Sequence, residues 1–320
     1  MSYEIDEIRV IELSMMDKRK YFPLTMLSGF CIRGLLYPVT LIKTRLQIQK
    51  SQTIYKGTMD AFYKISKHEG VIGLYRGFWV SCLQLFPSVA YIGTYETIRH
   101  HLKEHTTVKD SKSRSFIAGG CASVIGQTMS VPLDIITQHI MLLGQESSAR
   151  SKTEVPLIKA IDNKTSNKRF GTVSAVIREV YNKNGLKGFY KGYFVSLTVF
   201  APNSALWWFF YDTYSNLFMD VVPSNLPRLL IQCVAAPLAG ISAAVITNPL
   251  DLIRARIQVY QTNLPQTVQL LWKEERYRIL VKGLSARLLQ SVLFSFFIIL
   301  GYETIKRFSV LDKHKNQIRW

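Results

Sequence analysis

Charged side chains vanish from four long stretches of the chain, residues 77–95, 116–133, 192–211 and 229–250. Each is close to the ~20 residues that carry an α-helix across a bilayer. Two further apolar stretches flank them: residues 21–42, interrupted only by Arg33, and residues 288–302. A soluble core can absorb one such segment, but four or more together argue against it. The pattern predicts an all-α membrane protein with six transmembrane helices. Both termini then share one side, and three inter-helix loops share the other.

An internal repeat organises these helices. Tyr37-Pro38-Val39-Thr40-Leu41-Ile42-Lys43-Thr44-Arg45-Leu46-Gln47 ends the first span, Val131-Pro132-Leu133-Asp134-Ile135-Ile136-Thr137 the third, and Asn248-Pro249-Leu250-Asp251-Leu252-Ile253-Arg254-Ala255-Arg256-Ile257-Gln258 the fifth. A second marker follows each copy: Glu69-Gly70 then Tyr75-Arg76-Gly77, Asn184-Gly185 then Tyr190-Lys191-Gly192, and Glu275-Arg276 then Val281-Lys282-Gly283. A third marker closes each: Tyr95-Glu96-Thr97-Ile98-Arg99, Tyr211-Asp212-Thr213-Tyr214-Ser215, and Tyr302-Glu303-Thr304-Ile305-Lys306. Self-similarity of this kind predicts one structural unit used three times. Each unit is a helix bent at Pro, a polar loop with a short helix, and a second membrane helix. The boundaries predicted are a tail (1–20), repeats at 21–107, 108–225 and 226–310, and a tail (311–320). Residues 144–169 in the second repeat, rich in Ser, Lys and Asn, are expected to be a flexible polar insertion.

The 320 residues are 48% hydrophobic with a formal net charge of +18. On a soluble protein that charge would point to nucleic acid, but its placement changes the meaning. The three loops together carry a net +16 and the opposite side only +3. By the Lys/Arg bias that orients membrane helices, the loops face the compartment that retains positive charge. Residues 1–20 mix five acidic with four basic side chains and hold no apolar run, so neither a secretory signal nor a basic presequence is predicted. Cys31, Cys82, Cys121 and Cys233 each fall within a span without paired spacing and read as packing residues. His101 and His105 have helical spacing beside His100 but no companion ligands, so no metal site is expected. No phosphate-binding glycine loop, catalytic triad or zinc-hydrolase motif appears, and an enzyme is not expected.

The three copies of Pro-x-acid-x-x-base, acid-Gly and aromatic-base-Gly, spread over residues 21–307, resemble the mitochondrial carrier (solute carrier 25) family. The resemblance implies six helices in three pseudo-threefold repeats with short matrix helices. It also implies the inner membrane, termini toward the intermembrane space and loops in the matrix. It implies a matrix gate in which Asp134 pairs with Arg254 and Asp251 with Lys43, braced by Gln47 and Gln258. Thr40 and Thr137 stand where the third pair would be. A cytoplasmic gate would pair Glu303 with Arg99 and Asp212 with Lys306 beneath Tyr95, Tyr211 and Tyr302, leaving Glu96 without a base because Ser215 replaces it. No cofactor is implied, but cardiolipin is, as a structural lipid at Arg76-Gly77 and Lys191-Gly192. The third such place is less clear, since Val281 and Arg276 depart from the pattern.

Arg33, five residues before Pro38, is a charge in mid-span, where charges face a wet cavity or a partner. It can grip a carboxylate with two hydrogen bonds. Gln127 and Ala244 share its level in the other repeats. Positions where the family contacts substrate map to Leu83, Gln84, Val199, Phe200, Asn203, Gln290 and Ser291, none of them charged. A nucleotide or tricarboxylate would ask for more cations. One Arg among amides and apolar groups suits a small monocarboxylate with an apolar side chain. Local strings resemble the branched-chain amino acid carriers of the family, implying leucine, isoleucine and valine as cargo. A branched-chain keto acid or another neutral or monocarboxylate metabolite is the alternative, because no cavity acid is evident for an ammonium group. A carrier-fold membrane adaptor without transport is the alternative of another class. The expected partners are a small-molecule substrate and membrane lipid, with no nucleic acid, and the expected state is a monomer.

Overall fold

The computed structural model describes residues 17–49, 54–105, 111–143, 169–221 and 228–310. Residues 1–16 and 311–320 of the predicted tails and 144–168 of the predicted insertion lie outside them; Lys18–Lys20, placed in the N-terminal tail, and Arg169, placed in the insertion, instead open helices. The regular elements of the described residues are helices: α1 (Lys18–Ile48), α2 (Thr58–His68), α3 (Gly70–Gly73), α4 (Phe78–Cys82), α5 (Leu85–His105), α6 (Ser111–Leu142) and α7 (Arg169–Asn184). A 3-10 turn (Gly185–Tyr190) leads to α8 (Tyr193–Val221), α9 (Arg228–Tyr260) and α10 (Leu264–Glu275). A second 3-10 turn (Arg276–Leu280) leads to α11 (Leu284–Ser309). Among the described residues, three helical segments are long and apolar enough to cross a membrane: Arg19–Ile48, Leu229–Tyr260 and Leu284–Gly301.

The helices of the first, third and fifth predicted spans, α1, α6 and α9 (the odd helices of the repeats), run on through Pro38, Pro132 and Pro249 rather than ending there. The second predicted span departs from expectation, being divided into α4 and α5 at Leu83 and Gln84. Pro87 has no N–H for the Leu83 carbonyl, which instead accepts from Phe86 N at 3.2 Å. The residues before the break tighten likewise, Leu83 N donating to Val80 O and Gln84 N to Ser81 O, both at 3.1 Å.

The chain divides into two compact units. One contains the described residues up to Leu36, Leu206–Ala243 and the chain from Gln290 onward. Within it α9 and α11 approach closely: a Cβ on Gly240 would lie 2.5 Å from Ser291 Oγ and 2.8 Å from Ser295 Oγ. Small residues allow such contact between helices that have no hydrophobic drive to associate in lipid. Trp207 Nε1 donates to Ser295 Oγ at 3.3 Å, and Tyr214 OH lies 2.8 Å from Ser242 Oγ.

The other unit contains Tyr37–Ala205 and Ala244–Leu289. Its core has two parts. Tyr37, Leu41, Leu46, Tyr55, Ile65, Leu74 and Met141 form one, and Ile48, Ile140, Leu142, Val176, Val180 and Val259 the other. The glycines of the aromatic-base-Gly markers position the repeats against one another here. Gly77, Gly192 and Gly283 have φ of +85°, +78° and +68° and open α4, α8 and α11. A Cβ on Gly77 would lie 3.2 Å from Ile140, on Gly192 3.0 Å from Ile257, and on Gly283 2.7 Å from Gln47. Each marker glycine thus packs on the odd helix of another repeat, eight or nine residues past its motif proline. Both the left-handed backbone and the missing side chain are needed.

Candidate functional site

The motif charges of the odd helices converge within the second unit. Lys43 Nζ lies 2.7 Å from Asp251 Oδ2, and Gln47 Nε2 donates to the same oxygen at 3.2 Å. Arg254 Nη2 lies 2.5 Å from Asp134 Oδ2, whose other oxygen accepts from Gln84 Nε2 at 2.7 Å. The four charged side chains retain 14–20% exposure, enough desolvation to make an unpaired charge costly. Thr137, at the expected third pair, donates its hydroxyl to Leu133 O of its own helix at 2.7 Å. Gln258 takes a different place from Gln47: its amide accepts from Gln138 at 2.7 Å and donates to Ser196 at 3.2 Å.

A second layer went unread in the sequence. Seven residues after each motif proline stand Arg45, His139 and Arg256. Arg45 is fully buried; it ion-pairs with Glu69 and donates to Met141 O at 2.8 Å and Leu143 O at 3.1 Å. Arg256 repeats this against the first repeat, donating to Gln47 O at 3.2 Å and Gln49 O at 2.8 Å, with Glu274 at 3.3 Å. Each guanidinium therefore caps the last carbonyls of another repeat's odd helix, where cations are favoured. In the second repeat both members differ: His139 places Nδ1 2.7 Å from Ile135 O of its own helix, and Asn184 donates to Gln261 at 3.3 Å. The regular spacing was the signal that could have found this layer.

The bases of the aromatic-base-Gly markers, predicted to face lipid headgroups, also engage the protein. Arg76 donates to Leu143 O, and Lys191 donates to Asn263 at 2.7 Å. Lys282 binds Glu275 and Gln49 O. Burial, reinforced by the nearby Arg256 charge and opposed by Glu275, lowers the Lys282 pKa from 10.5 to about 8. Beside it lies a cavity of about 180 Å³ lined by Gln49, Tyr55, Lys56, Gly57, Arg278 and Lys282 among others. This is the third copy of the marker, where the sequence departs most from the pattern.

Of the predicted substrate residues, Arg33, Gln290 and Ser291 belong to the first unit, and Leu83, Gln84, Gln127, Val199, Phe200 and Asn203 to the second. Leu83 and Gln84 sit at the break between α4 and α5. Val199 is buried and Phe200 exposed. Asn203 has its amide oxygen occupied, accepting from Thr247 at 2.9 Å and from Arg287 at 3.4 Å, so its NH2 is the end left to offer. Gln127 has the opposite polarity: its Oε1 is buried without a hydrogen-bond partner. Of the predicted cytoplasmic gate, Tyr211 stacks on Trp207 at 5.2 Å, Tyr95 is half-buried and Asp212 is exposed. The side chains of Glu96, Arg99, Tyr302, Glu303 and Lys306 lie outside the described residues.

Comparison with known proteins finds the same three segments of sequence. The profile of the family described as mitochondrial carrier protein matches residues 19–106, 109–222 and 227–313. The chain belongs to the mitochondrial carrier family. It is 36% identical to human solute carrier family 25 member 44, over 98% of both chains. It is 26% identical to mitochondrial substrate carrier family protein J of Dictyostelium discoideum, over 94% of both, and 30% identical to protein E of the same organism, over 82% and 86%. Members of this family are transporters of the mitochondrial inner membrane rather than enzymes.

Proposed function

We propose that this protein is an inner-membrane solute carrier that moves leucine, isoleucine and valine into the matrix by alternating access. Six helices in three pseudo-threefold repeats would carry it, with both termini toward the intermembrane space and the three basic loops in the matrix. The observation that carries the reading is the pair of repeat-related salt bridges, Lys43–Asp251 and Arg254–Asp134. Each joins one repeat to another across more than a hundred residues of sequence, so repeats that move apart must break them. Substrate binding energy can compensate for that loss while pairs on the opposite face form, and no nucleotide hydrolysis is required.

The cargo reading rests on the resemblance of local strings to branched-chain amino acid carriers and on polarity at the predicted contact positions. Arg33 is assigned the carboxylate, and the Asn203 NH2 is proposed as a substrate donor of the second unit. The Gln127 Oε1, buried without a hydrogen-bond partner, is proposed as the acceptor for an ammonium group in place of the cavity acid that the sequence lacks. That favours an amino acid over its keto acid, which has no proton to donate there. The cavity beside Lys56, Arg278 and Lys282 has the charge and the adjoining glycines of an anionic lipid headgroup site. Cardiolipin is proposed there as well as at Arg76-Gly77 and Lys191-Gly192, as a structural lipid of a monomeric carrier.

Uptake of labelled leucine by purified protein in cardiolipin-containing liposomes tests the reading. Saturable uptake inhibited by valine and isoleucine is expected, with ADP and citrate inert. Saturable keto acid uptake without leucine uptake would change the cargo. Silence toward every solute would favour an adaptor without transport.

A further inference from the structure

Arg287 sits in the first turn of α11, 7% exposed, in a cluster wholly within the second unit. Its Nη1 donates to Ala244 O at 3.2 Å and lies 3.5 Å from Asn248 Oδ1. Its Nη2 donates to Thr247 Oγ1 at 2.7 Å and to Asn203 Oδ1 at 3.4 Å, and its Nε lies 3.6 Å from Asp251 Oδ2. Thr247 Oγ1 in turn donates to Asn203 Oδ1 at 2.9 Å. One guanidinium thus touches a predicted substrate contact and the acid of a gate pair. We propose that Arg287 is a positioning residue that holds Asn203 for substrate and serves as the standing counter-charge of Asp251 when the gate pair separates. The proposal rests on the carrier reading given above.

Topology sets Arg287 apart from the other partners of Asp251. Lys43 and Gln47 belong to the first repeat and leave Asp251 when the repeats part. Arg287 belongs to the same repeat as Asp251, and three contacts to α9 (Ala244, Thr247 and Asn248) tie it there. The carboxylate then keeps a cation at 3.6 Å after losing Lys43, rather than standing alone where solvation is poor. The open state costs less, and turnover is faster. The hydrogen bonds to Asn203 act at a different step. Two donors on its Oδ1 fix the amide orientation, so its NH2 faces a substrate acceptor without a search among rotamers.

The two roles separate in kinetics. Reconstituted full-length protein carrying Arg287→Gln, Arg287→Lys or Thr247→Val is compared with the parent for kcat and KM of uptake, alongside thermal unfolding of each purified protein. Arg287→Gln removes the counter-charge and is expected to lower kcat by about tenfold or more, the scale of an uncompensated buried charge. Arg287→Lys keeps the charge and is expected to hold kcat within about threefold while raising KM, because an ammonium cannot reproduce the planar fork. Thr247→Val leaves the charge and removes one hold on Asn203, so KM rises by a few fold with kcat retained. Equal kcat losses for Arg287→Gln and Arg287→Lys, or a parental kcat for Arg287→Gln, overturn the counter-charge. If Arg287→Gln does not fold, the other two variants decide: a kcat loss in Arg287→Lys as deep as tenfold, or an unchanged KM in both, overturns the proposal. A parent protein that takes up no solute is the failure of the carrier reading instead, and is seen before any variant is made.

Discussion

Lys43 and Asp251 lie 208 positions apart in the sequence and 2.7 Å apart in the structure. The first and third repeats are thereby tied by a contact that neither contains alone. Arg254 and Asp134 tie the second and third repeats in the same way at 2.5 Å. Between the first and second repeats, the corresponding positions hold Thr40 and Thr137. Two of three ties are ionic, and the third is built from other chemistry: Gln84 reaching Asp134, and Arg45 and Arg76 reaching the end of α6.

Breaking one partner of a tie should cost more than breaking both. Asp251→Asn leaves Lys43 with little solvent, and a loss of about 2–3 kcal/mol is expected, below that for a fully enclosed pair because some exposure remains. Arg254→Asp combined with Asp134→Arg should recover uptake that each single reversal loses; this pair is the one to reverse, because Arg287 stands 3.6 Å from Asp251 and would repel a lysine there. Thermal unfolding and liposome uptake measure the two effects, and a double reversal no better than the singles would show that the pair does not act as a gate.

Arg33→Ala should abolish uptake while leaving the unfolding temperature within a few degrees of the parent. The residue is half-buried at mid-span, where its charge is costly to retain without a use. Uptake at the parental rate would remove Arg33 from the substrate site.

Arg276 has φ +47°, in the position where the other two repeats place Gly70 and Gly185 at +71° and +60°. With ψ at −125° this positive φ lies outside the left-handed helical region, in a sparsely populated conformation that costs a residue with a Cβ about 1–3 kcal/mol, and Arg276 is exposed, with little packing to lose. Arg276→Gly is expected to stabilise the protein by about 0.5–1 kcal/mol after the larger chain entropy of glycine is set against the relief. A lower unfolding temperature would refute this.

Lys282 gives a pH dependence of known sign. Its pKa is lowered to about 8 in the folded protein from 10.5 in the open chain, so between those values the unfolded chain binds more protons. Its contribution to stability therefore rises with pH through that window, while below it the cost of enclosing the ammonium is present in full. Unfolding temperatures of the parent should rise relative to those of Lys282→Gln between pH 8 and pH 10. Parallel curves would show that Lys282 titrates at its ordinary pKa.

Repetition is the property that the sequence determined by itself. Pro38, Pro132 and Pro249, with the glycines at Gly77, Gly192 and Gly283, appear in order because each repeat must turn and approach another in the same way, and periodicity survives in one dimension. The apolar runs likewise announce long helices, since lipid demands internally bonded backbone. Contacts between repeats are another matter. That Gln47 reaches Asp251 while Gln258 turns to Gln138 and Ser196, that Arg287 touches both Asn203 and Asp251, and that Pro87 divides the second predicted span at Gln84 all depend on side-chain reach across helices. Near-identical motif letters take different partners because the repeats are not identical around them. Hydrogen bonds depend on tenths of an ångström, and only the packed chain sets distances that small.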